Sequence, residues 1–473
     1  MHREELFSDI DRWLDEHYPQ LEQALMESLS IASVRAEEAP GAPFGVEVAR
    51  ALQHALQLAQ SWGFAVCDVD GYCGIADMFG AETADMSECI GVLGHLDVVP
   101  ARAEDWTYPP FAPRCIDGRI YGRGTTDDKG PLFAALFAAL ALHECGLDFG
   151  KGLRFIMGCN EESGMACVRY YLQHHQQPSC GFTPDAHFPL VVGEKGILQY
   201  RLHAVWEALS EGCRLLSVRC EGAANVVPAQ AVAMLSLDGQ LLPQAPGITV
   251  EKQDDDLYKI IAQGTAAHAS TPEEGDNALV KLLGYLGSLE LAAGGARDFV
   301  RTLYRKCAQG NGGEGWGLAA CDALSQLTLS PDGLLLDECS ATLVCDMRFP
   351  VSSTGADQEA AIEAAAQAEH WSYERLELSE PLYLGDNNPL ATTLLQAYRE
   401  VTQDMSDPMV IGGGTYAKTM KNFLGFGPQA AQGPSLAHQA DEYISCEELL
   451  RCAKVYARAI YRLLNTTEEE ALC

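Results

Sequence analysis

The stretch CIGVLGHLD, residues 89–97, guides the fold prediction because an apolar run leads directly into a histidine and an aspartate. The stretch LRFIMGCNEE, residues 153–162, repeats the arrangement with two adjacent carboxylates. Residues 131–144 lie between them and are predicted to form a buried helix, while residues 64–69 resemble a further buried strand. Strands that alternate with helices in this way predict an α/β sheet.

Further along the chain the pattern changes. Residues 196–380 contain stretches in which apolar and polar side chains alternate, followed by amphipathic runs, so we predict an inserted α+β domain there. The predicted strands are 200–206, 215–220, 258–262 and 341–349, and the predicted helices are 277–291 and 358–370. Residues 1–195 and 381–473 then form the two parts of one α/β domain. The first sixty residues are expected to be helical, and Ser445 with Glu448 is a capping box that opens a final helix.

Composition excludes several classes of protein. The chain has 473 residues and a formal net charge of −34, which disfavours binding to nucleic acids and to anionic membranes. Its 17 cysteines are never spaced as CxxC, and the N-terminal sequence lacks the apolar core of a secretory signal. The apolar stretch 131–142 is too short to cross a bilayer. We therefore expect a cytoplasmic protein without a membrane anchor.

Four short motifs carry acidic and imidazole side chains at predicted strand ends or in loops. They are GHLD (residues 94–97), GRGTTDDKG (122–130), NEESG (160–164) and FTPDAHFP (182–189). Ligands of open α/β sheets bind beyond the carboxyl ends of the strands, so these motifs are expected to meet. Carboxylates that converge in one place repel each other unless a cation compensates. The sequence therefore predicts a metal site.

These motifs, followed by HASTPEEGDNA (268–278), DMRFP (346–350), IGGGTYAK (411–418) and HQADEY (438–443), also carry a resemblance. In this order they resemble the family that contains carboxypeptidase G, aminoacylase, carnosinase and succinyl-diaminopimelate desuccinylase, and most closely its bacterial Xaa-His dipeptidase branch. The resemblance implies a zinc-exopeptidase-like catalytic domain, made of a mixed central sheet flanked by helices and interrupted by an α+β lid domain. It also implies a monomer that hydrolyses dipeptides.

The same resemblance implies a set of metal ligands. One zinc would be held by His95 and Asp185, a second by Glu162 and His438, and Asp127 would bridge the two. Imidazole and carboxylate are good zinc ligands, and such sites also accept manganese or cobalt. A cis peptide is expected between Asp127 and Asp128.

Further roles follow from the resemblance. Glu161 is expected to act as general base, and Asp97 to accept the free ring N–H of His95. From the middle domain, His268 would stabilise the oxyanion, and Arg348 would clamp the substrate carboxylate.

Other interpretations of these residues remain open. Arg348 could simply pair with Asp346 on its strand. Gly414 is expected to approach the substrate through its backbone, although a turn glycine looks identical in sequence. Asn225 resembles a family position near the site and receives no role.

Three alternatives to a dipeptidase are also open. A deacylase of N-acyl amino acids or N-succinyl diamines would use the same metal machinery. A binding protein that keeps the fold would need a missing ligand, and none is missing. A glycosidase based on paired carboxylates would leave His95 and His438 unexplained.

Overall fold

The computed structural model describes residues 3–209, 211–222, 224–237, 242–318, 320–385, 387–429 and 436–465. The helices of these residues are α1 (Arg3–Leu29), α2 (Val46–Ser61), α3 (Lys129–Glu144), α4 (Ala166–His174), α5 (Ala278–Gly287), α6 (Gly295–Cys307), α7 (Gly355–Ala368), α8 (Pro389–Thr402) and α9 (Cys446–Asn465). The strands are β1 (Ala65–Val69), β2 (Cys73–Met78), β3 (Cys89–His95), β4 (Arg114–Ile116), β5 (Arg119–Tyr121), β6 (Gly152–Gly158), β7 (Cys180–Thr183), β8 (Val191–Glu194), β9 (Gly196–Val205), β10 (Arg214–Cys220), β11 (Gln230–Ser236), β12 (Ile248–Lys252), β13 (Leu257–Gln263), β14 (Thr328–Leu336), β15 (Ser340–Phe349), β16 (Ser372–Ser379), β17 (Leu382–Tyr383), β18 (Met409–Ile411), β19 (Phe423–Gly425) and β20 (Tyr443–Ser445).

The chain divides into two units that are discontinuous in sequence. Unit 1 consists of Met1–Gly193, Leu384–Met409 and Gly414–Cys473. Unit 2 consists of Glu194–Tyr383 together with the short segment Val410–Gly413. The return of that short segment to unit 2 was not foreseen, because the sequence assigned everything after residue 380 to the α/β domain.

Unit 1 is built on a mixed sheet with the strand order β1, β2, β6, β3, β7, β19, β8. The pairs β3 with β6, β3 with β7, and β7 with β19 are parallel, whereas β2 pairs antiparallel with both β1 and β6. Every residue of β3 and β6 is buried, which explains why their sequences are largely apolar. Arg154 in β6 is the exception, and it pairs with Asp77 at 2.7 Å. The mixed sheet with flanking helices confirms the predicted fold class.

Helix α3 lies at the centre of the helical layer of unit 1 and packs against α1 and α9. All residues from Lys129 to Leu142 are buried, as expected for a helix that is apolar on all sides. Lys129 is the one charged side chain among these buried residues. Its ammonium donates to the carbonyl oxygens of Ser28 and Ile31 at 2.9 and 3.0 Å. Burial lowers the pKa of Lys129 to about 7. The start of α3 is thereby tied to the end of α1.

Unit 2 is an antiparallel sheet covered by helices. Its strand order is β12, β13, β11, β10, β14, β15, β9, β16. Helix α5 packs on β11, β13 and β14, and α7 packs on β9 and β16. Burial alternates along β9, so the strand presents one face to the core, in agreement with the alternating pattern seen in the sequence.

Two local predictions have different outcomes. The predicted start of α9 and its serine cap are confirmed, because the Ser445 hydroxyl accepts the N–H of Glu448 at 3.0 Å. The Glu448 carboxylate contacts Arg451 and Cys452. The prediction of helix throughout the first sixty residues is wrong, since 30–45 is a non-helical segment between α1 and α2. Pro40, Gly41 and Pro43 account for this, because they favour turns and interrupt helices. None of the described helices is long and apolar enough to span a bilayer.

Candidate metal centre

The predicted ligands of unit 1 are placed by the ends of its strands. His95 is the last residue of β3, Glu162 follows β6, and Asp185 follows β7. These strands are parallel neighbours, so their carboxyl ends deliver the side chains to one edge of the sheet. Asp127 comes from the loop before α3 and His438 from the loop before β20. The five side chains meet although they are spread over most of the chain.

Asp127 occupies the middle of the cluster. Its Oδ1 lies 3.0 Å from Nε2 of His95, and its Oδ2 lies 3.1 Å from Nε2 of His438. On one side Asp185 Oδ2 is 3.7 Å from the same nitrogen of His95. On the other side Glu162 Oε2 is 3.1 Å from Nε2 of His438. The two carboxylate oxygens of Asp127 therefore face two separate sets of donor atoms.

The electrostatics of the cluster fit a cation. Burial and the neighbouring Asp127 raise the pKa of Asp185 to about 7. Burial, followed by the carboxylates of Asp185 and Glu162, raises the pKa of Glu161 well above its usual range. Positive charge among these groups would relieve their repulsion. Ligand atoms of His95 lie within 4.8 Å of those of Asp127 and Glu162, and likewise of Glu161 and Asp185, which are separations that metal-bound donors require.

The loop that carries Asp127 has two further features. The peptide bond between Asp127 and Asp128 is cis, which confirms that prediction. Asp128 turns back under β3, where its Oδ2 accepts the backbone N–H of His95 at 3.1 Å. A Cβ at Gly94 would lie 2.5 Å from that same oxygen, so β3 needs a glycine at this position. The absence of a side chain at Gly94 thus allows Asp128 to hold His95.

Asp97 lies where it can accept the free ring N–H of His95. The ring Nδ1 of His95 is 2.8 Å from the backbone carbonyl oxygen of Asp97, whereas the Asp97 carboxylate is 3.7 Å away. The acceptor of this bond is therefore the carbonyl oxygen. The carboxylate oxygens are used elsewhere, because they accept the backbone N–H groups of Glu161 at 3.1 Å and Glu162 at 3.2 Å. Asp97 thus orients both the histidine and the glutamate pair.

Glu442 is a residue of the site that the sequence did not single out. Its buried carboxylate accepts five hydrogen bonds from the loop before Asp127. The donors are Arg123 Nη1 at 2.7 Å, Gly124 N at 3.1 Å, Thr126 N at 2.8 Å, Thr126 Oγ1 at 3.0 Å and Thr125 Oγ1 at 3.3 Å. Glu442 lies four residues after His438, so this carboxylate ties the loop of one ligand to the loop of another. The only sequence signal was its presence in the motif HQADEY.

His268 lies in unit 2, away from the metal ligands in sequence and in a different unit. Its Nδ1 accepts the backbone N–H of Ser270 at 3.1 Å and lies 2.6 Å from the Ser270 hydroxyl. A nitrogen that accepts a backbone N–H carries no proton, so neutral His268 is protonated on Nε2. Asn225 lies beside it, because its carbonyl oxygen accepts the N–H of Ala269 at 2.9 Å.

Arg348 also lies in unit 2 and is only 4% exposed. Its Nε and Nη2 donate to the two carboxylate oxygens of Asp346 at 2.5 and 2.9 Å, and Nη1 donates to the carbonyl oxygen of Gly412 at 3.0 Å. The ion pair that the sequence left open as an alternative is therefore present. A guanidinium has five N–H donors, so two of them remain beyond these three bonds.

The glycine run falls at a boundary between the units. Gly412 belongs to unit 2 and lies so close to Ser270 that an added Cβ would approach that of Ser270 to 2.6 Å. Gly414 is half-buried and is the first residue of the last segment of unit 1. It precedes Thr415, whose side chain accepts the N–H of Ala417.

Comparison with known proteins places this arrangement in a family. Residues 91–462 match the model of peptidase family M20/M25/M40. The chain is 33% identical over 452 residues to a Bacillus subtilis protein named "Putative dipeptidase YtjP", covering 92% of this chain and 96% of the relative.

Two solved structures share the fold. Human carnosine dipeptidase 1 has a TM-score of 0.58 at 16% identity, covering 98% of this chain and 99% of that one. The Bacillus subtilis protein YXEP, described as a dinuclear metal-binding peptidase of the M20 family, has a TM-score of 0.53 at 12% identity, covering 96% of this chain and 100% of that one. The chain belongs to peptidase family M20/M25/M40, and it is accordingly a hydrolase of peptide bonds.

Proposed function

We propose that the protein is a zinc-dependent dipeptidase with two metal ions per subunit. The observation that carries this proposal is the position of Asp127, whose two oxygens approach two different histidines at 3.0 and 3.1 Å. A carboxylate in that position can bridge cations about 3.5–4 Å apart, the separation used by two-metal hydrolases. The name of the Bacillus subtilis relative supports dipeptides as the substrate class.

The donor atoms divide into two sets. His95 and Asp185 would hold one ion together with Oδ1 of Asp127, and Glu162 and His438 would hold the other together with Oδ2. Ions bound there would supply Lewis acidity, which activates water and polarises the scissile carbonyl. All donors are nitrogen or oxygen atoms, so zinc, manganese and cobalt are compatible with the site. The carbonyl oxygen of Asp97 fixes the ring of His95 by accepting its Nδ1–H.

Glu161 is the proposed general base. Its backbone is held by the carboxylate of Asp97, and its own carboxylate lies within 4.8 Å of ligand atoms of His95 and Asp185. A carboxylate beside the metal ligands can take a proton from the attacking water and pass it to the leaving amine nitrogen. Glu162, one residue later, points to His438 instead. The two adjacent glutamates can therefore have different tasks.

His268 is the proposed donor to the oxyanion. The bond from the Ser270 N–H to Nδ1 leaves the proton of neutral His268 on Nε2. A single well-placed donor of this kind contributes roughly 3–4 kcal/mol to transition-state stabilisation. We propose that His268 acts on the substrate of its own chain, as a monomeric enzyme would require.

Arg348 is the proposed contact of the substrate's terminal carboxylate. Asp346 occupies the edge formed by Nε and Nη2, so the substrate would use the N–H groups that remain on the terminal nitrogens. Gly414 would approach the peptide through its backbone. We propose dipeptides of the Xaa-His or β-alanyl type as substrates, and the shared fold of human carnosine dipeptidase 1 makes β-alanyl-histidine the first compound to assay.

The test combines one substitution with a substrate panel. Glu161→Gln should abolish dipeptide hydrolysis while the metal content, measured by elemental analysis, stays unchanged. Glu37→Gln, at an exposed glutamate of the segment between α1 and α2, is the matched control and should retain full activity. Substantial turnover by Glu161→Gln would refute the assigned base.

The alternative of the same chemical class is a deacylase of N-acyl amino acids or N-succinyl diamines. It would use the same metal ligands and the same base, so substitution of Glu161 does not separate the two functions. The two functions are separated by comparing the rates at which the enzyme hydrolyses a panel of dipeptides and a panel of N-acetyl amino acids and N-succinyl-diaminopimelate. Dipeptide hydrolysis with little acyl hydrolysis supports the proposal, and the reverse preference overturns it.

A further inference from the structure

A second group of metal-binding side chains lies in unit 1 outside the centre described above. It consists of Glu22 in α1, Cys115 in β4 and Cys446 at the start of α9. One ligand atom from each of the three lies within 4.8 Å of the others. The Sγ atoms of the two cysteines are 3.6 Å apart although the residues are 331 positions apart in sequence. The fold therefore joins two thiols and a carboxylate from three separate elements.

We propose that Glu22, Cys115 and Cys446 bind a thiophilic divalent cation, zinc in the cell, independently of the hydrolytic metals. Zinc binds thiolate sulfur at about 2.3 Å and carboxylate oxygen at about 2.0–2.2 Å in tetrahedral geometry. Two sulfurs on one tetrahedral zinc are therefore about 3.8 Å apart. The observed sulfur separation of 3.6 Å needs almost no adjustment.

The surroundings favour a cation over a free thiol pair. Desolvation, the hydrogen bond with Cys446 and the nearby Glu22 carboxylate raise the pKa of Cys115 to about 12. Three groups that each become negative on ionisation thus oppose one another, and a divalent ion would compensate them and release the thiol protons. Cys115 is exposed and Cys446 half-buried, so an ion can reach the thiols from solvent.

Tyr18 supplies an independent observation. It lies one helical turn before Glu22, and its hydroxyl is buried with no hydrogen bond of normal geometry among the described residues. Burial, followed by the neighbouring Cys446, raises the pKa of Tyr18 above its usual range, which places the hydroxyl next to that thiol. A fourth ligand, either this hydroxyl or a water held by it, would complete the tetrahedron.

A disulfide accounts for fewer of these features. Its sulfurs would have to close from 3.6 Å to about 2.05 Å. The carboxylate of Glu22 would have no role in a disulfide, whereas it is a ligand of the proposed cation. None of the described cysteines forms a disulfide.

The test uses cadmium as a probe of sulfur ligands. Cadmium is added to the full-length protein under a phosphine reductant, and the ultraviolet thiolate-to-cadmium band is followed as a function of added metal. We expect a band that saturates in the wild type and is lost in Cys115→Ser and Cys446→Ser. Cys67→Ser, at another exposed cysteine, is the matched control and should keep the band. Asp127→Asn should also keep it, because the hydrolytic centre contains no sulfur.

A second measurement needs no variant. Protein with and without zinc in excess of three equivalents, enough for the hydrolytic centre and this site together, is alkylated with iodoacetamide, and the modified cysteines are mapped by mass spectrometry. Zinc should slow alkylation of Cys115 and Cys446 at least tenfold and leave that of Cys67 unchanged. Equal alkylation with and without zinc overturns the proposal, as does a cadmium band of wild-type amplitude in both serine variants. A Cys115 to Cys446 disulfide in protein that fails to take up cadmium after reduction overturns it as well.

Discussion

The substitution Glu442→Gln tests how firmly the loop of Asp127 is held. An amide has one acceptor oxygen where the carboxylate has two, so one half of the donors around Glu442 would face an NH₂ group. The half at Oε2 contains Arg123 Nη1 and Gly124 N, and the half at Oε1 contains Thr126 N and two hydroxyls. Hydroxyls can rotate to accept, whereas a guanidinium cannot. In either orientation the positive charge of Arg123, only 2% exposed, loses its counter-ion.

The magnitude follows from that unpaired charge. Removal of one partner from a buried ion pair costs about 3–5 kcal/mol. If the loop opens so that Arg123 reaches water, metal binding must close it again and restore the unpaired charge. The free-energy cost of that charge then reduces the affinity for zinc by roughly 10²–10⁴-fold. The double variant Arg123→Met/Glu442→Gln removes the charge that was left alone and should recover a large part of the loss.

The assay is competition for zinc with a chromophoric chelator, accompanied by thermal unfolding of the metal-free protein. Glu47→Gln is the matched control, because Glu47 pairs with Arg50 at 2.7 Å but is 42% exposed. An exposed pair of this kind contributes less than about 1 kcal/mol, so the control should bind zinc like the wild type. The reasoning is refuted if Glu442→Gln binds zinc as tightly as the control, or if the second substitution adds to the loss instead of reducing it.

Three further predictions concern single positions. Gly94→Ala should weaken zinc binding and destabilise unit 1 by about 1–3 kcal/mol, because the added Cβ would displace the Asp128 carboxylate. Gly150 has open space around it, so Gly150→Ala is the control and should leave zinc affinity unchanged in the same chelator assay. Burial raises the pKa of Asp332 to about 9, so the protonated carboxyl stabilises the folded chain at low pH, and this contribution to stability is lost as the pH rises from about 4 to about 9. Asp332→Asn should remove that decline in stability. Urea midpoints that fall with pH equally in both proteins would contradict this prediction. Ser445→Ala removes the cap of α9 and should cost about 1 kcal/mol in urea unfolding, an expectation that an unchanged midpoint would disprove.

Some residues of the site could be predicted from the sequence and others could not, because only some of them belong to a local sequence pattern. A site at this edge was predicted because His95 ends β3 and the glutamate pair follows β6, and the carboxyl ends of parallel strands share one edge. The assignment of Glu162 rather than Glu161 to the metal came from the family resemblance. For Asp97 the sequence did not specify the acceptor atom, since a residue two positions from His95 offers a carbonyl and a carboxylate at the same spacing. Glu442 was missed because it is one of 66 acidic residues, and no local pattern says that its carboxylate will accept five donors from another loop.

The order of the fold was predicted better than its long-range pairings. The apolar runs of β3 and β6 and the all-apolar α3 define a layered α/β unit from local sequence alone. The contact between Cys115 and Cys446 depends instead on the packing of three elements that are distant in sequence. The periodicity of apolar residues along the sequence does not predict which distant residues come into contact.

The position of β19 has a consequence for synthesis of the chain on the ribosome. This strand, Phe423–Gly425, lies inside the sheet between β7, Cys180–Thr183, and β8. About 240 residues separate β7 from β19 in the sequence. Because ribosomes add roughly 5–20 residues per second, β19 is translated on the order of 10–50 s after β7. During that time the edge of β7 that later pairs with β19 lacks its partner, and unpaired edges promote aggregation. His438 is translated after β19, so a product that ends before residue 438 lacks one of the five proposed metal ligands.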